Sequence, residues 1–236
     1  MKRIICLLTA VVLLLCGCQS ASENAFTISD NGNIVSKNGT EYAFLANEGV
    51  LYYLGDLEFV GSVSGEPKTS QHLGISYQTG MFKIINAEND NILIRCAPND
   101  EWFAIYRKVS LSEFDFSVDN CVRLEFVLGT GNISGDAVHT TCGDGITDKS
   151  EISDFLSDVR LQENPHDAGL YDMIRKPNGM LENCYIYGVI YGFFGEEPNV
   201  VIEMPVTSYN DLAYSVRIGA EEYVLPEEWL EEFVNN

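Results

Sequence analysis

Short apolar runs separated by turn residues fill the chain from residue 26 onward. Asn-Gly dipeptides at 31–32 and 38–39 separate the first runs, and polar turns separate the later ones. The runs are rich in β-branched and aromatic residues, which favour strands. Strands or strand-rich stretches are therefore predicted at 26–29, 33–36, 41–46, 50–63, 73–87, 92–96, 102–108 and 121–128. The amino-terminal half is predicted to form an antiparallel meander.

The most regular helical pattern lies between residues 149 and 163. Apolar residues recur there at i, i+3, i+4 and i+7, namely Ile152, Phe155, Leu156 and Val159. Asp148 followed by Glu151 fits a capping box, and Pro165 prevents the helix from continuing. An amphipathic helix is therefore predicted at about 149–163. The pattern at 167–174 leaves a short helix and the start of a strand equally open.

A second helical pattern follows Pro226. One side of this segment carries Trp229, Leu230, Phe233 and Val234. The other side carries Glu227, Glu228, Glu231 and Glu232, and acids near the amino end favour the helix dipole. A short carboxy-terminal helix is predicted at about 227–234. Its acidic row is interpreted as a solvated face, with a surface for docking a partner as the alternative.

Residues 185–194 form the most apolar run outside the first twenty residues. Its odd positions are bulky and mostly aromatic, whereas its even positions include Gly188 and Gly192. A central strand with the helix at 149–163 over the glycine side is predicted, and an aromatic surface for a ligand is the alternative. Further strands are predicted at 200–206, 212–218 and 222–225. The predicted fold class is α+β, a mainly antiparallel β body with one central and one carboxy-terminal helix.

The first twenty residues follow a different pattern. Lys2 and Arg3 precede an apolar segment that runs from Ile4 to Leu15. This segment is too short to cross a bilayer as a helix, which takes about 20 residues. A basic start followed by a short apolar core is typical of a secretory signal peptide. Residues 1–17 are therefore predicted to be a signal peptide.

The end of this leader, Leu15-Cys16-Gly17-Cys18, resembles the lipobox of bacterial lipoproteins. Leu15, Gly17 and Cys18 match the pattern of that class, whereas Cys16 is unusual at its position. The resemblance covers the leader alone. It implies that diacylglycerol is attached to the Cys18 thiol and that cleavage before Cys18 makes it the mature amino terminus. Residues 18–24 then form a lipidated end and a short polar linker.

The lipid anchor implies a location at the bacterial cell membrane, facing outside the cytoplasm. The formal net charge of −21 means that anionic headgroups repel the folded body, so the lipid alone holds it. No run of Lys and Arg exceeds two residues, which argues against a nucleic-acid partner. A hydrophobic content of 46% indicates a globular body at 25–236, and a division into two lobes near 109–120 is left open.

Four cysteines lie in the folded body, at Cys96, Cys121, Cys142 and Cys184. Outside the cytoplasm, four cysteines allow two disulfides in three connectivities. Their wide spacing resembles no small disulfide scaffold, and Cys184 adjoins a very apolar strand where a free thiol is equally natural. Disulfide pairing is therefore left open.

The chain contains few residue patterns that are typical of catalytic, metal or cofactor sites. Its three histidines are His72, His139 and His166. His139 and Cys142 have near-ligand spacing, but two ligands do not make a zinc site. The acids at Asp148 and Glu151 lack the order of a calcium loop and are explained by helix capping. Nucleophile elbows, phosphate loops and dinucleotide fingerprints are also absent, so no catalytic, metal or cofactor residue is predicted and Cys18 alone receives a chemical role.

These observations predict a membrane-anchored extracytoplasmic binding module without enzymatic activity, which binds an unidentified ligand or envelope protein. Its site is expected on the polar loops at 64–72, 130–146 and 164–168, because binding residues concentrate on such loops. An envelope hydrolase with a carboxylate or His139-based site is one alternative. A protective or inhibitory surface lipoprotein is another, since its acidity would suit a cationic attacker.

Overall fold

The fold is described by a computed structural model covering residues 25–29, 32–47, 51–64, 68–69, 76–77, 79–85, 87, 89–96, 103–129, 140–176 and 184–235. The leader, Cys18 and the linker lie outside these residues. The chain divides into two compact units. The first comprises residues up to 48 with 55–112, and the second comprises 49–54 with 113–236. Within the described residues, no helix has the length and apolar character needed to span a membrane.

The described part of the chain is rich in strands, as the sequence predicts. The strands are β1 (Ala25–Ile28), β2 (Ile34–Lys37), β3 (Thr40–Asn47), β4 (Tyr52–Tyr53), β5 (Leu57–Ser64), β6 (Lys68–Thr69), β7 (Ser76–Tyr77), β8 (Gly80–Ile84), β9 (Ile92–Cys96), β10 (Phe103–Lys108), β11 (Arg123–Leu128), β12 (Thr140–Ile146), β13 (Cys184–Phe193), β14 (Val200–Tyr209), β15 (Ala213–Ile218) and β16 (Glu221–Leu225). The helices are α1 (Lys149–Arg160), α2 (Leu170–Met173) and α3 (Glu227–Asn235). The fold class is therefore α+β.

The first unit is a closed barrel with the strand order β1-β2-β3-β10-β9-β8-β5. Most neighbours pair antiparallel, as predicted, but β3 pairs with β10 rather than with the next strand along the chain, so the predicted meander is wrong in its strand order. The barrel closes through a parallel pairing of β1 with β5, in register from Ala25 opposite Ser62 to Thr27 opposite Ser64. The sequence pattern did not predict this closure, because no local signal marks a pairing between segments so far apart. The interior is filled by Phe26, Val35, Tyr42, Val63, Met81, Leu93, Ala104 and Tyr106.

The second unit is a seven-stranded antiparallel sheet with the order β12-β11-β13-β14-β15-β16, and β4 pairs with β14. Helix α1 contacts β11 and β16, and α3 contacts β11 and β12. Aromatic rings join the sheet to the helices: Phe233 lies between Phe126 and Phe155, with ring centroids 6.1 and 5.4 Å apart. Trp229 packs edge-on against Phe155 at 5.4 Å. One face of the sheet is therefore the packing surface for both helices.

Helix α1 begins where the sequence predicts. The Asp148 carboxylate accepts hydrogen bonds from the backbone N–H groups of Ser150 (2.8 Å) and Glu151 (3.2 Å), so it caps the helix. The helix ends at Arg160, three residues before the predicted end. The following segment pairs with the outer edge of β16 instead: the Val224 N–H donates to the Glu163 carbonyl at 3.0 Å. This contact covers part of a sheet edge.

Strand β13 confirms the predicted central strand, and its glycines lie under neighbouring side chains. A Cβ atom at Gly188 would lie 2.6 Å from the Phe126 ring, and one at Gly192 would lie 2.5 Å from the Cys121 sulfur. The space above the glycines is thus filled by these side chains. Helix α1 packs on the same side. Its Phe155 ring contacts Phe233 of α3, which in turn contacts the Phe126 ring.

A bulge in β13 changes the predicted alternation of its aromatic residues. The register between β13 and β14 shifts between Ile186 and Gly188. Tyr187 consequently stacks on the Phe126 ring at 6.0 Å, on the helix side of the sheet. Tyr191 and Phe193 stay on the opposite side, where they are buried. The aromatic residues of β13 therefore do not form one exposed surface.

The segment 140–146, which the sequence places in a loop, is strand β12. Its register with β11 shifts between Leu124 and Phe126. Gly143 and Gly145 have φ angles of +66° and +74°, which glycine adopts at little cost. A bulge with two glycines thus looks like a loop in sequence yet remains part of the sheet.

Candidate binding groove

The residues that the sequence singles out do not assemble into a described site. Cys18, His72 and His139 lie outside the described residues. His166 is exposed in the turn between α1 and α2, with its Nδ1 atom 3.5 Å from an Asp167 carboxylate oxygen. Within the described ranges, no group of three or more His, Cys, Asp or Glu residues could hold a metal ion. The pairing of His139 with Cys142 therefore stays a hypothesis.

The loops expected to carry the site are described only in part. Most of 64–72 and all of 130–139 lie outside the described residues, whereas 164–168 is a turn between α1 and α2. In this turn the Asn164 side chain donates to the Glu222 carbonyl at 3.2 Å. This contact gives 164–168 a role in holding the edge of the sheet, and a ligand site on these loops stays a prediction.

Among the described residues, no disulfide joins the four cysteines of the body, Cys96, Cys121, Cys142 and Cys184. Cys96 and Cys121 are buried, Cys142 is half-buried and Cys184 is exposed. Burial raises the pKa of the Cys121 thiol to about 12, with the nearby Asp119 charge acting in the same direction. Cys121 is therefore a neutral, unreactive thiol under Gly192.

A groove of about 420 Å³ opens in the second unit between the β14–β15 turn, strand β16 and helix α3. We call it the β15–α3 groove. Apolar and aromatic side chains form most of its lining, chiefly Tyr187, Leu212, Tyr214 and Leu230. Three acids complete the lining, namely Asp211, Glu227 and Glu231. The groove thus combines an apolar floor with carboxylates.

The β14–β15 turn sets the position of Asp211 and Leu212. Asn210 and Asp211 both adopt positive φ angles, +59° and +57°, and the Leu212 N–H donates to the Tyr209 carbonyl at 3.2 Å. Both residues are in the left-handed region, which Asn and Asp tolerate well in turns. Leu212 follows the turn with 70% of its surface exposed. The turn therefore places an acid and an exposed leucine beside each other.

Hydrogen bonds hold the Asp211 carboxylate in place. Its Oδ1 atom accepts from the Ser208 hydroxyl at 3.0 Å and from the Tyr185 hydroxyl. The Asp211 N–H in turn donates to the Ser208 oxygen at 3.2 Å. Ser208 is fully buried, so this anchor is rigid. Asp211 is thus a fixed negative charge at the groove.

Two tyrosines form the aromatic part of the floor. The rings of Tyr187 and Tyr214 lie 5.0 Å apart between centroids, with their planes tilted by 57°. Tyr187 reaches this position because the bulge in β13 turns it toward the helix side. Both tyrosines are half-buried, so parts of their surfaces remain open to solvent.

Helix α3 contributes the other two acids. Glu227 and Glu231 are four residues apart, which places them on the same side of the helix. Both residues are exposed. The pKa of the Tyr214 hydroxyl is raised, first by burial and then by surrounding groups that include Asp211 and Glu227. Acids from both elements therefore influence the groove electrostatically.

A second cavity, of about 560 Å³, lies at the β15–β16 hairpin. Its walls are mainly polar hairpin residues, and hydrogen bonds within the protein hold several of them. The Tyr223 hydroxyl donates to Glu221, and Tyr209 and Ser215 donate to the Glu222 carboxylate. This network stabilises the hairpin, and the cavity has little apolar floor for a ligand.

Glu203 is the described residue that sequence reasoning missed. It lies in the middle of the apolar strand β14, and burial raises the pKa of its carboxyl to about 7. The hydroxyls of Tyr52 and Tyr191 donate to it and partly oppose the shift. A single glutamate within an apolar run, VVIEMPV, was the available signal. Its partners are hydroxyls rather than a second carboxylate, so it offers no paired-acid chemistry of the glycosidase kind.

Comparisons with known protein families, with curated proteins and with solved structures gave no match to this chain. The function is therefore argued from the chemistry of the groove.

Proposed function

We propose that the protein is a lipid-anchored, extracytoplasmic binding module and that the β15–α3 groove is its ligand site. The lipobox resemblance at Cys18 supports the anchor and the location outside the cytoplasm. The groove supports the binding role. Its lining contains hydroxyls and carboxylates around an apolar floor, with no described pair of groups arranged as nucleophile and base.

The observation that carries the proposal is the open apolar floor of the groove. Small-molecule sites are concave, mostly apolar, and measure about 300–1,000 Å³, with a few polar groups that orient the ligand. The groove measures about 420 Å³ and has its polar groups at Asp211, Glu227 and Glu231. Leu212, exposed by 70%, and the half-buried Tyr187 and Tyr214 offer apolar surface that a ligand would remove from water.

A neutral, apolar fluorescent dye tests the site without regard to ligand charge. We expect N-phenyl-1-naphthylamine to bind the mature chain, residues 18–236 with Cys18→Ser, which retains every described residue of both units and carries no lipid. Leu212→Ser removes apolar surface from the groove and should weaken dye binding roughly fivefold. Fluorescence titration measures the effect.

Leu161→Ser is the matched control, because Leu161 is 80% exposed at the end of α1 and does not line the groove. Its dye affinity should equal that of the parent chain. Dye that does not bind at all, or that responds equally to both substitutions, would show that the groove is not the ligand site.

A further inference from the structure

Carboxylates reach the β15–α3 groove from two separate elements. Asp211 comes from the β14–β15 turn, whereas Glu227 and Glu231 come from α3. Like charges four residues apart on a helix repel each other and destabilise it. A positively charged ligand in the groove would offset this repulsion.

The described lining residues include no Lys, Arg or His that could neutralise these acids. The arginine ion pairs described in the second unit are formed by Arg123, Arg160 and Arg175. None of these arginines lines the groove. Within the described structure, the negative charge of the groove is therefore open to a cation from outside.

The aromatic floor is suited to the same kind of ligand. A cation within about 6 Å of a tyrosine ring centroid is attracted by the negative face of the ring. Tyr187 and Tyr214 provide two tilted rings, with centroids 5.0 Å apart. Leu212 and Leu230 flank them with aliphatic surface. Apolar surface, ring faces and carboxylates thus occur together in one groove.

We propose that the ligand of the β15–α3 groove is a small organic cation, an ammonium group carried on a short aromatic or aliphatic body. This inference rests on the proposed function, because it names the ligand class of the same site. The volume of about 420 Å³ fits a small molecule rather than a folded partner. The ammonium group lies among Asp211, Glu227 and Glu231, and the apolar body contacts the tyrosines and leucines.

Three probes that share a phenyl ring and differ in charge test this proposal: 2-phenylethylammonium, 2-phenylethanol and 3-phenylpropionate. Their affinities are measured by competition with N-phenyl-1-naphthylamine on the mature chain. We expect the cation to bind at least about fivefold more tightly than the alcohol, and the anion to bind most weakly. The advantage of the cation should shrink as salt is raised, since salt screens exposed charges.

Charge-neutral variants distinguish the effect of the groove carboxylates on cation binding from the effect of the protein's overall negative charge. In Glu227→Gln with Glu231→Gln, the cation should lose most of its advantage over the alcohol while the dye still binds. The control, Asp154→Asn with Glu228→Gln, also removes two exposed helix charges, but at positions that do not line the groove. The advantage of the cation should persist in this control.

The outcomes distinguish the two proposals. Equal affinity for cation and alcohol, both weakened by Leu212→Ser, would overturn the cationic ligand and leave the binding module standing. An advantage of the cation that both double variants reduce equally would assign it to overall charge and also overturn the ligand class. Binding of a lysine-rich peptide without binding of 2-phenylethylammonium would also overturn the small organic cation as the ligand class. Failure of every probe, including the neutral dye, would overturn the proposed function itself.

Discussion

The pKa values of single ionisable residues in this protein are set by their immediate surroundings. Glu203 lies in an apolar strand, and burial raises the pKa of its carboxyl to about 7, from the ordinary value of 4.5. The folded state therefore binds a proton at Glu203 more tightly than the unfolded state does. Stability from this group is full below about pH 4.5 and is lost as the pH rises toward 7.

Replacing Glu203 with Gln should remove this pH dependence. Between pH 5 and pH 7.5 we expect the free energy of unfolding to fall on the order of 1–2 kcal/mol more in the parent chain than in Glu203→Gln, allowing for partial exposure of the carboxyl. Urea denaturation at a series of pH values measures the difference. The exposed Glu228→Gln should leave the parent slope unchanged, and an identical slope in all three proteins would contradict the assigned pKa.

Individual helices follow sequence rules closely, and α1 is the clearest case. Its four buried residues are the four that the helical spacing identifies, and its cap is the predicted Asp148. Its last predicted turn is missing because the chain leaves the helix to pair Glu163 with Val224 on β16. Local pattern thus predicts where this helix begins, and a long-range contact decides where it ends.

Removing the cap should destabilise α1. We expect Asp148→Ala to lower the urea midpoint by roughly half a molar, whereas Asp148→Asn, which retains a capping oxygen, should stay close to the parent. Fluorescence of Trp229 reports the loss, because this side chain packs on Phe155 and its indole N–H donates to Asp158 at 3.3 Å. Equal midpoints for the Ala and Asn variants would contradict the capping role.

Contacts between elements bring together residues whose proximity the sequence does not indicate. The strands at 200–206 and 212–218 and the helix after Pro226 were all predicted, and one alternative made the acidic row of that helix a docking surface. Nothing in either pattern indicates that Asp211 meets Glu227 across a groove. Tyr187 joins them because of a bulge that alternation does not reveal. The closure of the barrel by β1 and β5 has the same origin, a pairing without a local signal.

At the scale of the whole molecule, the net charge and the proposed lipid anchor together decide how the protein is held at a membrane. The net charge of −21 makes an anionic membrane repel the folded body. Under the proposed function, attachment depends on lipid at Cys18, because each buried methylene contributes about 0.8 kcal/mol and two or more acyl chains hold a protein stably. We propose that the groove then meets ligands outside the cytoplasm, and we expect residues 18–24 to act as the linker to the membrane.

Membrane fractionation of bacteria that express Cys18→Ser tests this anchoring most directly. We expect the parent chain to be recovered in the membrane fraction and Cys18→Ser to be largely released from it. Cys16→Ser is the matched control, because it changes a neighbouring leader cysteine and keeps the Cys18 thiol, so this variant should remain with the membrane. Retention of Cys18→Ser in the membrane fraction, at the level of the parent chain, would contradict the account.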